Sequence, residues 1–293
     1  MLIYRSAAKI NLFLSVRGSL PGGYHELTSV MQSVSLYDTL TFDFGRRNFS
    51  LYVPGLDLGA PEDNIVTRLW RLMKGRFGLK GEVEVTIEKN IPVGAGLAGG
   101  SGNGAALIRA ANDYFSLGLS LEEMASIGGE VGADIPFCVM GGTALAKGRG
   151  EKLKPLPPLL DCGILLAAGG FHVSTKDVFT AFDTLSLADR DERNILKALE
   201  EGSLQAVAAS LYNDLERVTL KMYPRLEVLK RELSQNGLYP LMSGSGPTIF
   251  ALIPAEREEI AKETLERLGN RGFLVRPEAQ GVKQIQQNKT RKS

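Results

Sequence analysis

Apolar and polar residues alternate through most of the first hundred positions, a pattern that predicts strands joined by turns. Strands are expected over residues 2–17, 39–44, 50–53 and 83–88. One helix interrupts them. Asn64 is a favourable N-cap, apolar residues then recur at helical spacing as far as Phe77, and Gly78 follows as a stop.

Helical spacing becomes more frequent in the rest of the chain. Helices are predicted over residues 105–115, 120–129, 192–201, 204–216, 226–235 and 256–268, and strands over residues 163–168, 248–252 and 273–275. Three prolines within residues 154–158 cannot continue a regular element. The pattern therefore predicts an α/β or α+β chain with domains at residues 1–156 and 157–280. The polar, basic segment 281–293 is predicted to be a disordered tail, with a binding arm as the alternative.

A glycine-rich segment at residues 91–106, I-P-V-G-A-G-L-A-G-G-S-G-N-G-A-A, leads into the helix predicted from residue 105. Glycines let backbone amides turn inward, and a helix N-terminus favours an anion, so a nucleotide phosphate is the expected ligand. Gly94, Gly96 and Gly99 also form a G-x-G-x-x-G, but the preceding strand alternates, whereas a dinucleotide-binding strand is apolar throughout. A P-loop is excluded because no Gly-Lys-Ser/Thr follows the glycines.

Charge and cysteine content restrict the class of partner. The chain has 34 basic and 33 acidic residues, which gives no electrostatic reason to expect a nucleic-acid or membrane surface. Cys138 and Cys162 lack the spacing of a zinc site or disulfide framework, which predicts buried thiols in a reducing cytosol. The apolar runs are shorter than the roughly 18 residues that span a bilayer, and the N-terminus has no signal-peptide layout. A cytoplasmic protein with a small-molecule partner is expected.

Three short segments carry candidate chemistry. Lys9 lies in an otherwise apolar strand and therefore needs a charged partner. Asp134 precedes a long apolar run, where it is either a helix N-cap or a functional carboxylate. The turn at residues 243–246, S-G-S-G, offers amides and hydroxyls to an anion, although a turn before a strand has the same composition. Together with the glycine-rich segment, these residues supply the groups that phosphoryl transfer requires.

The segments P-V-G-A-G-L-A-G-G-S, G-A-D-I-P-F and S-G-S-G-P-T resemble the three signature motifs of the GHMP small-molecule kinases, in the same order and at similar separations. The similarity spans nearly the whole chain. Further segments, A-A-K-I-N-L-F-L-S-V, G-G-Y-H-E-L, E-D-N-I-V and G-G-T-A-L-A-K-G-R-G-E, resemble the branch that phosphorylates the 2-hydroxyl of a cytidine diphosphate alcohol in non-mevalonate isoprenoid precursor biosynthesis. The resemblance implies a ribosomal-protein-S5-domain-2-like N-terminal domain, a ferredoxin-like C-terminal domain, and ATP and Mg²⁺ as cofactors.

The resemblance also implies roles for individual residues. Asp134 matches the catalytic base, and Lys9 matches the lysine that keeps it ionised. The ATP-binding set is Asn64 together with Pro92, Val93, Gly94, Ala95, Gly96, Leu97, Ala98, Gly99, Gly100, Ser101, Gly102 and Asn103. The substrate-binding set is Asn11, Tyr24, His25, Phe179, Ser243, Gly244, Ser245 and Gly246, in which the aromatic residues hold the cytosine ring. Ala98 and Gly102 depart from the glycine and second serine of many family members, and the Mg²⁺ ligands stay open.

Alternative functions predict different behaviour. Another GHMP kinase, acting on homoserine, mevalonate or a sugar, would not need a base-stacking pair at Tyr24 and His25. A non-catalytic nucleotide-binding sensor would bind ATP without transferring phosphate, but Lys9 and Asp134 argue against it. An oxidoreductase would bind a nicotinamide cofactor. A monomer or weak homodimer is expected for the kinase.

Overall fold

The computed structural model describes residues 1–20, 24–57, 59–185 and 190–285. The strands are β1 (Leu2–Leu20), β2 (Tyr24–Arg46), β3 (Ser50–Tyr52), β4 (Glu82–Glu88), β5 (Thr143–Gly148), β6 (Lys152–Pro155), β7 (Gly163–Ala167), β8 (Tyr212–Asn213), β9 (Tyr239–Met242), β10 (Ile249–Ile253), β11 (Gly272–Val275) and β12 (Val282–Gln284). The helices are α1 (Ile65–Phe77), α2 (Gly99–Phe115), α3 (Leu121–Gly129), α4 (Ile135–Met140), α5 (Thr175–Phe182), α6 (Arg193–Glu201), α7 (Leu204–Ala209), α8 (Glu216–Met222), α9 (Pro224–Gln235) and α10 (Glu258–Leu268).

The first sheet is organised around the long strands β1 and β2, which pair antiparallel along most of their length. Its order is β12-β1-β2-β4-β3, and β5 joins another stretch of β2. β12 and the short parallel strand β8 complete the outer edge of β1. Helices α1 and α2 cover one face through a core that includes Leu69, Trp70, Phe42 and Val85. Strand β4 buries alternate residues only, as its sequence predicts and as a dinucleotide-binding strand would not.

The second sheet is antiparallel, with the order β11-β7-β10-β9. Along the chain, its strands and covering helices follow the β-α-β-β-α-β order of a ferredoxin-like unit, which confirms that expectation. A shared core containing Ile10, Leu97, Ile164 and Phe250 joins the two sheets. The junction between them is therefore apolar behind the loop at residues 92–98.

Several predicted helix ends agree with the structure for the expected reasons. The Asn64 side chain accepts a hydrogen bond from the Val66 amide at 2.9 Å, and Gly78 ends α1 in the left-handed conformation at φ 60°. Ser120 and Glu123 form the predicted capping box at the start of α3. These helix ends are fixed by interactions between residues close in sequence, so they can be predicted without knowledge of the tertiary structure.

Other predictions were wrong. Helix α2 begins at Gly99 instead of residue 105, because its glycines permit close packing: a Cβ at Gly104 would lie 2.6 Å from Leu69 Cδ1. The helix predicted over residues 204–216 ends at Ala209, after which β8 pairs with β1 and α8 begins separately. The prediction of a disordered tail was wrong for residues 281–285, because β12 pairs with β1 and Val282 is buried. Residues 286–293 lie outside the described part of the chain.

Candidate active site

The glycine-rich segment folds into a loop, residues 92–98, followed by the first turn of α2. Gly94, Gly96 and Ala98 adopt positive φ angles of 65°, 75° and 55°. Alternation of left-handed residues turns successive amides toward one concavity, which is an anion-binding arrangement. The first hydrogen bond of the helix runs from the Gly102 amide to the Ala98 carbonyl at 2.9 Å, so the amides of the first turn point out of the helix end.

Ala98 stands where many family members have a glycine. It still adopts the left-handed backbone conformation at the N-cap of α2. This conformation is uncommon for a residue with a Cβ. Gly102 is buried against β1, and a Cβ there would lie 3.3 Å from both Cβ and Oγ of Ser6. A serine at position 102 would therefore point toward Ser6.

Lys9 and Asp134 lie across the mouth of this loop. The Lys9 amide donates to the Leu97 carbonyl at 3.1 Å, which fixes β1 against the loop. The Lys9 Nζ atom lies 3.9 Å from Asp134 Oδ2, with exposed side-chain fractions of 5% and 37%. The ammonium is thus nearly dry, whereas the carboxylate keeps an accessible edge that can accept a hydrogen bond from a hydroxyl.

Asn11 fixes the direction of the Lys9 side chain. Its Oδ1 accepts from Lys9 Nζ at 2.8 Å, and its Nδ2 donates to Ser29 Oγ at 2.9 Å. Ser29 in turn donates to the Phe13 carbonyl at 2.7 Å. Because both ends of the buried amide already have protein partners, the structure supports an orienting role for Asn11 beside the predicted substrate contact.

Asp134 occupies the N-cap position of α4, but within the described structure its carboxylate pairs with Lys9 instead of capping the helix. Of the two interpretations open from the sequence, the functional carboxylate is the one that the side-chain geometry supports. Cys138, one turn further along α4, is buried. Burial, and secondarily the Asp134 charge, raises the pKa of the Cys138 thiol well above its usual range, so this cysteine is not a nucleophile.

The second glycine-rich turn, residues 243–246, packs directly against the first. The Ser243 hydroxyl donates to the Gly96 carbonyl at 2.9 Å, and a Cβ at Gly96 would collide with the Ser243 carbonyl oxygen. A Cβ at Gly244 would lie 3.6 Å from Lys9 Nζ. Ser245 Oγ lies 2.8 Å from Thr175 Oγ1, a residue that the sequence did not suggest. This turn thus adjoins the Lys9 end of the site.

Two of the residues predicted to hold a cytosine contact each other, His25 at the start of β2 and Phe179 in α5. The His25 and Phe179 rings stack on each other, with centroids 4.6 Å apart and planes 22° apart. His25 Nε2 also lies 2.6 Å from Oδ1 of Asp183. The Tyr24 side chain lies outside the described part of the structure. The structure therefore places two of the predicted residues in contact with each other, while their role in binding cytosine stays a prediction, and Asp183 is a partner of His25 that the sequence did not suggest.

Three further residues at the glycine-rich loop escaped sequence reasoning. Lys89 and Asp38 form a buried ion pair below the loop, and Lys89 Nζ lies 3.0 Å from the Cβ position of Gly99. His172 approaches from the C-terminal half, with Nδ1 2.6 Å from the Cβ position of Gly94. Lys89 closely precedes the glycine-rich segment in sequence, so its proximity to the loop could have been predicted. Asp38 and His172 belong to no motif and could not. Asn64 caps α1, and its neighbour Ile65 lies near the loop, with Cδ1 3.6 Å from the Cβ position of Gly100, while the ATP-binding role of Asn64 stays a prediction.

Comparison with known proteins agrees with this geometry. Residues 64–142 match the GHMP kinases N terminal domain and residues 195–271 match the GHMP kinases C terminal domain. A 4-diphosphocytidyl-2-C-methyl-D-erythritol kinase of Bacillus pumilus is 41% identical over 87% of this chain and 89% of its own length. The Exiguobacterium sibiricum enzyme of the same name is 42% identical over 93% of this chain and 94% of its own length.

Solved structures show the same relationship. A crystal structure of 4-(cytidine 5'-diphospho)-2C-methyl-D-erythritol kinase superposes with a TM-score of 0.79 and 30% identity over 94% of this chain and 99% of its own. Homoserine kinase from Cytophaga hutchinsonii superposes with a TM-score of 0.75, but its 17% identity over 97% of each chain shows only the fold. Among the described residues, none of the helices has the length and apolar character that a membrane span requires. The matches to family models, relatives and solved structures show that the chain belongs to the GHMP kinases, within the family of the 4-diphosphocytidyl-2-C-methyl-D-erythritol kinases.

Proposed function

We propose that this kinase transfers the γ-phosphoryl group of ATP to the 2-hydroxyl of 4-(cytidine 5'-diphospho)-2-C-methyl-D-erythritol, a step of non-mevalonate isoprenoid precursor biosynthesis. The observation that carries the proposal is the Lys9–Asp134 pair at the mouth of the glycine-rich loop. An anion site and a hydroxyl-binding carboxylate then face each other, which is the arrangement that phosphoryl transfer requires.

ATP fits the loop because its amides and the start of α2 supply donors for a polyphosphate. The described residues contain no group of three or more His, Cys, Asp or Glu side chains arranged around a metal. This donor set still fits Mg²⁺, which commonly binds through substrate phosphates and only one or two protein oxygens. Ser101, in the first turn of α2, is the residue we assign to it. When bound, Mg²⁺ neutralises charge on the phosphates.

Lys9 and Asp134 prepare the acceptor hydroxyl. The accessible carboxylate edge of Asp134 accepts the hydrogen bond of the hydroxyl and either takes its proton or holds its oxygen in line with the phosphoryl group. Lys9 supplies positive charge beside that oxygen, and Asn11 keeps the ammonium in place. Because Lys9 is nearly dry, water screens this charge little.

Selection of the cytidylyl group follows from the aromatic wall. A planar base stacks on Phe179, and His25 offers a ring nitrogen whose partner is now Asp183. Homoserine, mevalonate and sugars have no such ring, so this wall favours the cytidine diphosphate alcohol over those acceptors. The two cysteines are buried and unpaired, which fits a reducing cytosol, where we place the enzyme.

A phosphoryl-transfer assay with ATP, Mg²⁺ and a panel of acceptors tests the proposal. The panel contains the cytidine diphosphate alcohol, the same alcohol phosphate without cytidine, homoserine and mevalonate. We expect kcat/KM for the cytidylyl acceptor to exceed the others by at least about 100-fold, because a site built for a base loses both stacking and hydrogen bonds without it. Comparable turnover of homoserine or mevalonate would contradict the assignment, and ATP binding without transfer to any acceptor would indicate a sensor.

A further inference from the structure

A buried carboxylate in the N-terminal sheet connects both sides of the glycine-rich loop. Asp38 lies in β2 and is completely buried. Its Oδ1 accepts from the amides of Asn90 and Ile91 at 2.8 and 2.9 Å, directly before the loop. Its Oδ2 pairs with Lys89 Nζ. One carboxylate therefore fixes the segment from which the loop departs.

The same carboxylate also reaches the helix that follows the loop. With its amide nitrogen directed inward, Asn103 of α2 donates to Asp38 Oδ2 at 2.8 Å and to the Gly99 carbonyl at 3.0 Å. Asn103 is itself buried. A carboxylate has about four acceptor positions, and these four donors occupy them. Both ends of the loop thus converge on one side chain that the substrate cannot reach.

Charge strengthens this arrangement. Lys89 Nζ lies near Gly99, at the N-terminal end of α2, where the helix dipole disfavours a cation. The Asp38 charge compensates the ammonium there, so the lysine can remain in the dry region below the loop. Removing the carboxylate would leave a buried cation and two backbone amides without their acceptor.

We infer that Asp38 is a positioning residue for the glycine-rich loop: through Asn90, Ile91 and Asn103 it sets the distance between the two ends of the loop and thereby its affinity for ATP. The inference rests on the proposed function, since it requires the loop to bind a nucleotide. It concerns a residue that contacts neither substrate nor nucleotide. Its effect should therefore appear in ATP affinity and leave the affinity for the acceptor unchanged.

The test is calorimetric ATP binding to the full chain, followed by steady-state kinetics. In Asp38→Asn, the new NH₂ group must face two of the existing donors, so we expect ATP affinity to fall at least about 10-fold, with the KM of the acceptor within about twofold. Asn103→Ala removes the link between Asp38 and α2, together with the Asn103 hydrogen bonds to the Gly99 carbonyl and Ser6 Oγ. It should weaken ATP binding about threefold, which keeps the test available if Asp38→Asn does not fold.

Glu82→Gln is the matched control. Glu82 begins β4, at the opposite end of that strand from the loop, and pairs with Lys74. It should lose stability without changing ATP affinity. If wild-type protein binds ATP and both Asp38→Asn and Asn103→Ala bind it equally well, the inference is overturned while the proposed function stands. If wild-type protein does not bind ATP, the proposed function fails first.

Discussion

Two ends of the cleft are built in different ways. The reacting end, comprising Lys9, Asp134 and residues 92–103, is held by the Lys9–Leu97 backbone hydrogen bond and by buried polar side chains such as Asn11 and Asp38. The base end, comprising His25, Phe179 and Asp183, is held by contacts between side chains, and His25 and Asp183 are 158 positions apart. The reacting end can be rigid before substrate arrives because its buried polar groups already have partners, whereas the base end must exchange existing contacts for new ones.

This contrast has an energetic consequence. A cytosine that stacks on Phe179 replaces part of the His25 ring contact, so its net gain falls at the low end of the roughly 1–3 kcal/mol of a base–aromatic stack. At the reacting end, Lys9 and Asn11 already have their hydrogen bonds. Changes at the reacting end should therefore alter kcat or ATP affinity strongly, and changes at the base end should alter acceptor KM modestly.

The largest effect is expected for Asp134→Asn. The amide preserves the shape of the side chain but cannot accept a proton or pair with Lys9, so kcat should fall at least about 100-fold with little change in the KM of ATP. Steady-state kinetics with both substrates measure the two parameters separately. A kcat near that of the wild type would reject Asp134 as the catalytic group and remove the distinction between the two ends.

A smaller effect is expected for Gly96→Ala. The new Cβ would meet the Ser243 carbonyl and needs a positive φ of 75°, so kcat/KM for ATP should fall at least about 10-fold. Gly118→Ala is the control, because Gly118 also has a positive φ, of 68°, but has open space around its Cβ position. It should lose stability with unchanged kinetics. Equal kinetic losses in both variants would show that backbone strain, and not contact between the turns, is responsible.

At the base end, Phe179→Ala should raise the KM of the cytidylyl acceptor about fivefold and leave kcat nearly unchanged. The comparison substrate is the same alcohol phosphate without cytidine, whose kinetics should not respond to this variant. A large fall in kcat for both acceptors would mean that Phe179 supports the reacting end as well.

The smallest effect is expected from thiol modification. Burial raises the pKa of Cys162 to about 11, and the pKa of Cys138 is also raised, so both thiols stay protonated in the folded protein at pH 8. The reactive thiolate forms only as the pH rises toward those values. A disulfide reagent should therefore label the native protein at least about 100-fold more slowly than a free thiol, with full activity retained. Rapid labelling of Cys138 would show that the region behind Asp134 opens.

The sequence was most informative where neighbouring residues determine the structure. The Asn64 cap, the Ser120–Glu123 capping box and the alternating strand β4 depend on local interactions, and each was predicted. The start of α2 was not, because its glycines are poor helix formers whose use depends on Leu69, a residue distant in sequence.

The site shows the same division. Lys9 and Asp134 lie in motifs, and the structure brings their side chains together. Asp38, His172 and Asp183 were missed because each becomes significant only through a distant neighbour: Asn103, Gly94 and His25, respectively. Without the fold, a single aspartate or histidine outside a motif carries no sign of such a neighbour.

The pairing of β12 with β1 has a consequence for synthesis of the protein. The Ala7 amide, two residues before Lys9, donates to the Gly281 carbonyl at 2.8 Å. This hydrogen bond can form only after residue 281 has left the ribosome, long after β1 has been synthesised. A nascent N-terminal half would expose an unpaired strand edge beside Lys9, the kind of edge on which aggregation begins. The edge of β1 next to Lys9 is thus completed only after both glycine-rich segments, residues 92–98 and 243–246, have been synthesised.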